Sequence, residues 1–355
     1  MFDWIPKWMR RTFVGLVIAL VVWFFVLPQF SAAGEALDAA GRIDVRLLVL
    51  AALLVALSFV AQAQMMRRVI RSAARPSLLD MTRIEMASAA VSHTVPGGTA
   101  AGSALGFRLL QRAGTPGTDA GFAAGVRGIG SSVVLNVMLW VALVAWIPIN
   151  GYSARYLAAA IVGVVVLGLA AASVLALVVA RQRTTRVIER VVDHLPLLDA
   201  ARVAGVIDRL SDEVRRLVSD RRLAAIVFAW SAVHWLSQAA ALWLLLHGFG
   251  WGAELLAVMV AFGVVNVLAA IPITPRGLGV VEAVLIPMLV GFGAPAQVAT
   301  LGVISWRLLT FWAPIPLGAV SYVSILVHEP QVGTDKASAR RRATRELAEA
   351  RHPDG

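Results

Sequence analysis

Arg307 stands inside an apolar run, between Trp306 and Leu308, and Arg127 stands near the start of another. A guanidinium in lipid is expensive and is kept for function or for a structural pair. Two of them facing one cavity would grip a phosphate bidentately. The plainer readings are snorkelling of Arg127 to the inner interface and pairing of Arg307 with a buried acid. Glu282 is the acid at hand, able to pair with Arg307, bind a lipid amine or carry a proton. Glu85 reads as a residue near the cytoplasmic interface. His93 and His234 read as hydrogen-bonded structural histidines rather than proton relays. Asn136, Gln238 and Asn266 read as glue between helices.

Other chemistry is poorly supplied. The six histidines form no metal-spaced pair, and there is no cysteine to hold a metal or act as a nucleophile. No Gly-x-Ser-x-Gly elbow, P-loop or Asp-x-Asp pair occurs. The sequence therefore assigns no catalytic residue, no metal and no cofactor.

The elements that must position these charges are membrane helices. The chain has 355 residues and is 59% hydrophobic, far above a soluble domain. Apolar runs cover 12–27, 47–64, 128–149, 155–180, 223–246, 255–273, 278–292 and 296–327. Most can cross a core about 30 Å thick. The net charge of +11 reads as membrane orientation and contact with anionic inner-leaflet lipids, not as nucleic-acid binding.

Basic residues cluster at 7–11, 67–83, 181–222 and 340–351, which places these segments and both termini in the cytoplasm. Residues 76–120 then begin and end inside, and 255–295 begin and end outside. Each is read as a re-entrant hairpin, broken at Pro96-Gly97-Gly98 and at Pro275-Arg276-Gly277. A shift of 179 residues lays one on the other with 7 identities in 25, both prolines included. The same shift lays 47–64 on 226–243 and carries Arg127 to Trp306, one residue from Arg307. One copy enters from each side, as in an inverted-topology repeat.

The fold expected is an all-α polytopic membrane protein. It has about six full transmembrane helices plus two Pro/Gly-broken hairpins, or eight spans or more if the hairpins cross. Residues 1–328 form a single transmembrane domain, with repeat A at about 47–149 and repeat B at about 226–327. Residues 181–222 form an amphipathic cytoplasmic loop and 329–355 a basic cytoplasmic tail. Broken helices expose N–H groups that favour anions, tolerated in lipid only where they line a cavity. The competing reading is that the glycines merely allow close helix packing.

Two stretches carry a resemblance. ITPRGLGVVEAVLIPMLVGFGAP, from Ile273, resembles the Pro-Gly-Gly-Leu-Gly-Val-Val-Glu signature of the lysylphosphatidylglycerol synthase transmembrane family, also called flippase-like or UPF0104. VPGGTAAGSALGFRLLQRAG, from Val95, is similar to its other signature, a Pro-Gly-Gly run followed by an arginine and a basic end. The resemblance spans roughly 10–330 and implies roles for Pro96, Gly97, Gly98, Arg108, Pro275, Gly277, Gly279 and Glu282. Arg276 departs from the glycine usual at its place, and Ser103 stands where several relatives carry an acid.

The resemblance implies a membrane domain that moves or holds lipids. Multidomain members carry a cytoplasmic aminoacyl-transferase domain after the membrane part. This chain ends about 28 residues after its last span and is not expected to synthesise aminoacyl lipid alone. The expected function is flippase-like translocation of a phospholipid or lipid-linked headgroup in a bacterial inner membrane. Arg127, Arg307 and the half-helix ends would hold phosphate, Arg276 would favour a more anionic headgroup or merely reach the interface, and Glu282 is the best proton carrier. The alternatives are the membrane subunit of a lipid- or glycan-modifying synthase with a soluble transferase partner, or a small-solute transporter. An oligomer is compatible with either.

Overall fold

The computed structural model describes residues 44–72, 75–95, 98–150, 219–269 and 275–327. The expected spans at 12–27 and 155–180, most of the loop 181–222, the tail 329–355, and Pro96 and Gly97 lie outside these residues.

The described residues are helical, without a strand among them. Helix α1 (Val45–Val69) is capped by Asp44, whose Oδ1 accepts the Arg46 N–H at 2.9 Å. A first pair of shorter helices follows, α2 (Leu78–Thr94) and α3 (Gly98–Arg112). Then α4 (Gly117–Gly125) runs through a π-turn (Val126–Gly130) into α5 (Ser131–Asn150). The second half repeats the order. Helix α6 (Arg221–Gly248) precedes a short pair, α7 (Leu255–Ala269) and α8 (Val280–Gly291), joined through a 3₁₀ turn at Pro275–Gly277. Then α9 (Ala296–Arg307) runs through a π-turn (Leu308–Trp312) into α10 (Pro314–Val327).

Four helical stretches among the described residues are long and apolar enough to cross a bilayer: Val45–Val69, Gly117–Trp146, Arg221–Gly248 and Ala296–Val327. The four helices of the two broken segments have 17, 15, 15 and 12 residues, fewer than the roughly 20 a straight crossing needs. One boundary differs from the expectation. The stretch holding Arg127 starts at Gly117 rather than 128, so Arg127 lies well inside it. The start is set by backbone geometry that hydropathy does not report. Gly114 is left-handed (φ 83) and Pro116 caps the helix.

That geometry recurs. Ala113, Gly114 and Thr115 donate N–H bonds to Leu109, Gln111 and Leu110; at a shift of 179, Phe292, Gly293 and Ala294 donate to Met288, Val290 and Leu289. Gly293 is left-handed too (φ 97), and Pro295 caps α9 as Pro116 caps α4. Packing is reciprocal. The two leading helices α1 and α6 lie along each other, α2 packs on α10, and α7 packs on α5. Each half thus sends its first short helix onto the last helix of the other.

The main apolar core joins α1, α6, α7, α8 and α9 through Phe59, Leu242, Leu245, Phe262, Leu285 and Trp306. Leu53, Val144 and Val320, on α1, α5 and α10, are each more than 60% exposed, an outward apolar surface suited to lipid. Small residues bring backbones together. A Cβ on Gly102 would overlap the Ser92 hydroxyl and the Ser88 carbonyl, and one on Gly106 would lie 2.8 Å from the Ser88 Oγ. Gly98 meets the Ser92 backbone in the same way. The stripe Gly98, Gly102, Gly106 recurs every four residues and seats α3 on α2. At Gly98 the packing reading of the glycines holds.

Candidate functional site

The charged residues converge where both broken segments meet the helices that follow them. Arg307, the last residue of α9, donates from Nε to Glu282 Oε1 at 2.7 Å. Glu282 Oε2 in turn accepts the Gly279 N–H at 2.8 Å, which fixes the carboxylate against the first turn of α8. Gly279 (φ 81) and Gly277 (φ 71) both take left-handed backbone, and so does Arg276 (φ 46), where a side chain is strained. The turn folds tightly enough that a Cβ on Gly277 would sit 2.9 Å from the Ala269 Cβ.

Arg127 lies in the first π-turn and pairs with Glu85 of α2. Both carboxylates are therefore taken, Glu85 from the helix before its break and Glu282 from the helix after its break. Arg276 is half-buried, with no hydrogen bond or ion pair among the described residues. It lies within electrostatic reach of Arg127, Glu85 and Arg307. The Pro275–Gly277 turn itself packs against α2 and α3. The tip of the second broken segment thus reaches the body of the first.

The aromatic side of the cluster is ordered by the second π-turn. The Arg307 guanidinium lies 4.5 Å from the centroid of the Phe311 ring. The other side of this arrangement is His93, stacked on Phe311 with centroids 4.6 Å apart and planes 12° from parallel. His93 Nδ1 is 2.8 Å from the Phe311 carbonyl oxygen. A carbonyl only accepts, so Nδ1 carries the proton and donates. The neutral ring then presents Nε2 as an acceptor. That atom is buried and has no partner among the described residues, and the same is true of Arg307 Nη2 and Arg127 Nε. Arg307 is 5% exposed and His93 4%. Buried polar atoms left open in this way are rare and call for an explanation, such as a ligand that binds there.

The structure brings together four residues singled out in the sequence: Arg127, Arg307, Glu282 and Arg276. It does not bring in Arg108, which is exposed on α3. Pro275, Gly277 and Gly279 shape the second turn. Glu85 is 3% exposed and paired with Arg127. His93 is hydrogen-bonded as expected, but its open Nε2 was not foreseen. His234 is structural, linking α6 to α1 through its Nδ1 and the Ser58 carbonyl at 2.8 Å. Asn136 and Asn266 do not join helices. Each donates to the carbonyl four residues back on its own helix.

Long apolar helices, short paired helices and a charged cluster between them define a multi-pass helical membrane protein. The chain belongs to the family described as the lysylphosphatidylglycerol synthase transmembrane region, whose family model matches residues 12–318. It is also similar to a UPF0104 membrane protein of Methanothermobacter thermautotrophicus, 24% identical over 139 residues. That match spans 38% of this chain and 41% of the relative.

Proposed function

We propose that this protein is a flippase-like lipid transporter that passes the headgroup of a phospholipid or lipid-linked substrate between its two broken segments. The acyl chains stay in the bilayer. The observation that carries this reading is the buried guanidinium of Arg307, held by Glu282 yet with Nη2 open, beside the second arginine–glutamate pair. Charge at membrane depth that exceeds its internal partners suits a translocated anion. The recurrence of turn geometry at a shift of 179 supports an inverted repeat, and the short lengths of α2, α3, α7 and α8 support re-entrant hairpins. Transport then proceeds by rocking one half against the other. In this reading the protein is not an enzyme, sits in a bacterial inner membrane and has both termini in the cytoplasm.

The test is reconstitution in liposomes with fluorescent lipids. Wild-type protein should move headgroups between leaflets faster than Arg307→Ala protein. Equal, slow movement by both defeats the proposal.

A further inference from the structure

We propose, resting on that reading, that the charged cluster takes up one proton with each anion it binds, and that His93 Nε2 is where the proton goes.

Among the buried side-chain atoms without a partner in the described residues, His93 Nε2 is the one titratable base. Its position is fixed. Nδ1–H is committed to the Phe311 carbonyl at 2.8 Å, and the ring is stacked on Phe311. The carboxylates offer no comparable opening. Glu282 gives one oxygen to Arg307 and the other to the Gly279 N–H, and Glu85 is paired with Arg127. A proton on either carboxylate weakens an arginine pair, whereas a proton on His93 Nε2 breaks nothing. His234, also buried, has both ring nitrogens engaged, by the Ser58 carbonyl and by Gln238.

Charge links that proton to an anion. Protonation creates an imidazolium with a new N–H and no acceptor for it. The charged groups within electrostatic reach of the ring, among the described residues, are Arg276, Arg307 and Arg127, all cations. Other titratable groups on the elements packed against α2 lie elsewhere. Arg67, Arg68, Arg108 and Arg112 adjoin residues of α1 and α3 that cluster with Met81 and Ile84 near the start of α2, and Tyr322 of α10 is exposed. Arg307 and His93 share the Phe311 ring, with the guanidinium 4.5 Å and the imidazole 4.6 Å from its centroid. A buried cation beside cations is costly without a counter-charge. An anion supplies the charge, and its oxygens accept from Arg307 Nη2 and from the protonated Nε2. The neutral ring instead turns a lone pair toward the anion. Anion binding therefore draws a proton onto Nε2, and by reciprocity a proton there tightens the anion.

The linkage has a use in transport. A singly charged anion that moves with one proton adds no net charge to the crossing, which lowers its cost in lipid. A pH difference across the membrane can then drive it. His93 belongs to the first half and Phe311 to the second, so the proton site spans the two parts that rock.

The test is binding by full-length protein in neutral detergent, read by intrinsic tryptophan fluorescence. The probe is dioctanoyl phosphatidylmethanol, a plain phosphodiester whose charge is constant between about pH 5 and 8, where an ordinary histidine titrates. Sodium sulfate is the free anion. Wild-type affinity for the lipid should rise at least about fivefold from pH 8 to pH 5. Mixing in weak buffer with an indicator dye should show proton uptake, approaching one per bound lipid. His93→Gln, which keeps a donor for the Phe311 carbonyl but does not titrate, should bind equally at both pH values and take up no proton.

Wild-type affinity independent of pH, with no proton uptake, overturns the proposal without any variant. So does pH dependence that survives His93→Gln and vanishes in Glu282→Gln, which assigns the proton to the carboxylate. Proton uptake with sulfate and none with the lipid overturns a lipid source and assigns a soluble anion. The liposome assay separates this inference from the transport reading. Linked binding without lipid movement sinks transport alone, and lipid movement by a protein that takes up no proton sinks this inference alone.

Discussion

Replacing Glu282 with glutamine tests what the Arg307 pair contributes. The carboxylate has two partners, Arg307 Nε at 2.7 Å and the Gly279 N–H at 2.8 Å. Glutamine keeps the size and one acceptor oxygen, so the turn bond can persist, but the charge is lost. Arg307, with its side chain 6% exposed, then has no carboxylate partner. Two magnitudes compete. An ordinary hydrogen bond between membrane helices contributes only about 0.6 kcal/mol on average, because the unfolded chain in lipid finds other partners. Stranding a buried charge costs about 3–5 kcal/mol. We expect Glu282→Gln to destabilise by about 3 kcal/mol, the second regime. Arg307→Met, which keeps the apolar stem over Phe311, should cost a similar amount by stranding Glu282. The double variant removes both charges and should cost less than the sum, with a coupling of about 2 kcal/mol. The assay is reversible unfolding in mixed micelles against rising sodium dodecyl sulfate, followed by far-ultraviolet circular dichroism. Single costs below about 1 kcal/mol that add within about 0.5 kcal/mol would refute the buried-pair argument.

Two further predictions use the same measurement. Gly102→Ala drives a Cβ into Ser92 and Ser88 and should cost about 1–3 kcal/mol, whereas Gly291→Ala meets open space and should be neutral or stabilising. Arg71→Ala breaks an exposed pair with Asp220 (side chains 66% and 39% exposed) and should change stability by less than about 1 kcal/mol; Asp220→Ala should cost more, because Asp220 Oδ1 also caps α6 through the Leu223 N–H.

The long helices were legible because hydropathy alone marks a span. So was the correspondence between the broken segments, since Pro116 and Pro295 mark the same turn in both. The failures have physical causes. A pair such as Arg127–Glu85 joins residues 42 positions apart on different helices, and no periodicity encodes it. The π-turns at Val126–Gly130 and Leu308–Trp312 shift the helix phase at both arginines, and the residues there carry no composition that announces them. Arg108 looked functional from its place in a signature. It lies two residues beyond Gly106, about 200° around the helix from the stripe that seats α3 on α2. Spacing within a motif does not reveal which face a residue takes. The stack of His93 on Phe311 joins residues 218 apart and was invisible for the same reason as the Arg127 pair.

The two halves repeat their backbone and not their chemistry, and the difference has a physical origin. Left-handed glycine and a proline cap determine a turn by local sterics, so Gly114-Thr115-Pro116 and Gly293-Ala294-Pro295 build the same joint. Nothing local requires the carboxylate to come from a given arm. Glu282 is tied to its turn through Gly279, while Glu85 reaches Arg127 from the helix before the break. Well-packed apolar side chains often stabilise as much as a buried ion pair does. Fold stability alone therefore does not account for two such pairs in a chain this apolar. Arg276, which has no ion-pair partner among the described residues and sits in strained backbone, makes the same point more strongly, since glycine would remove both the strain and the charge. The scaffold and the charges thus answer to different requirements, the first to close packing of short helices and the second, on the proposed transport reading, to the headgroup that moves between them.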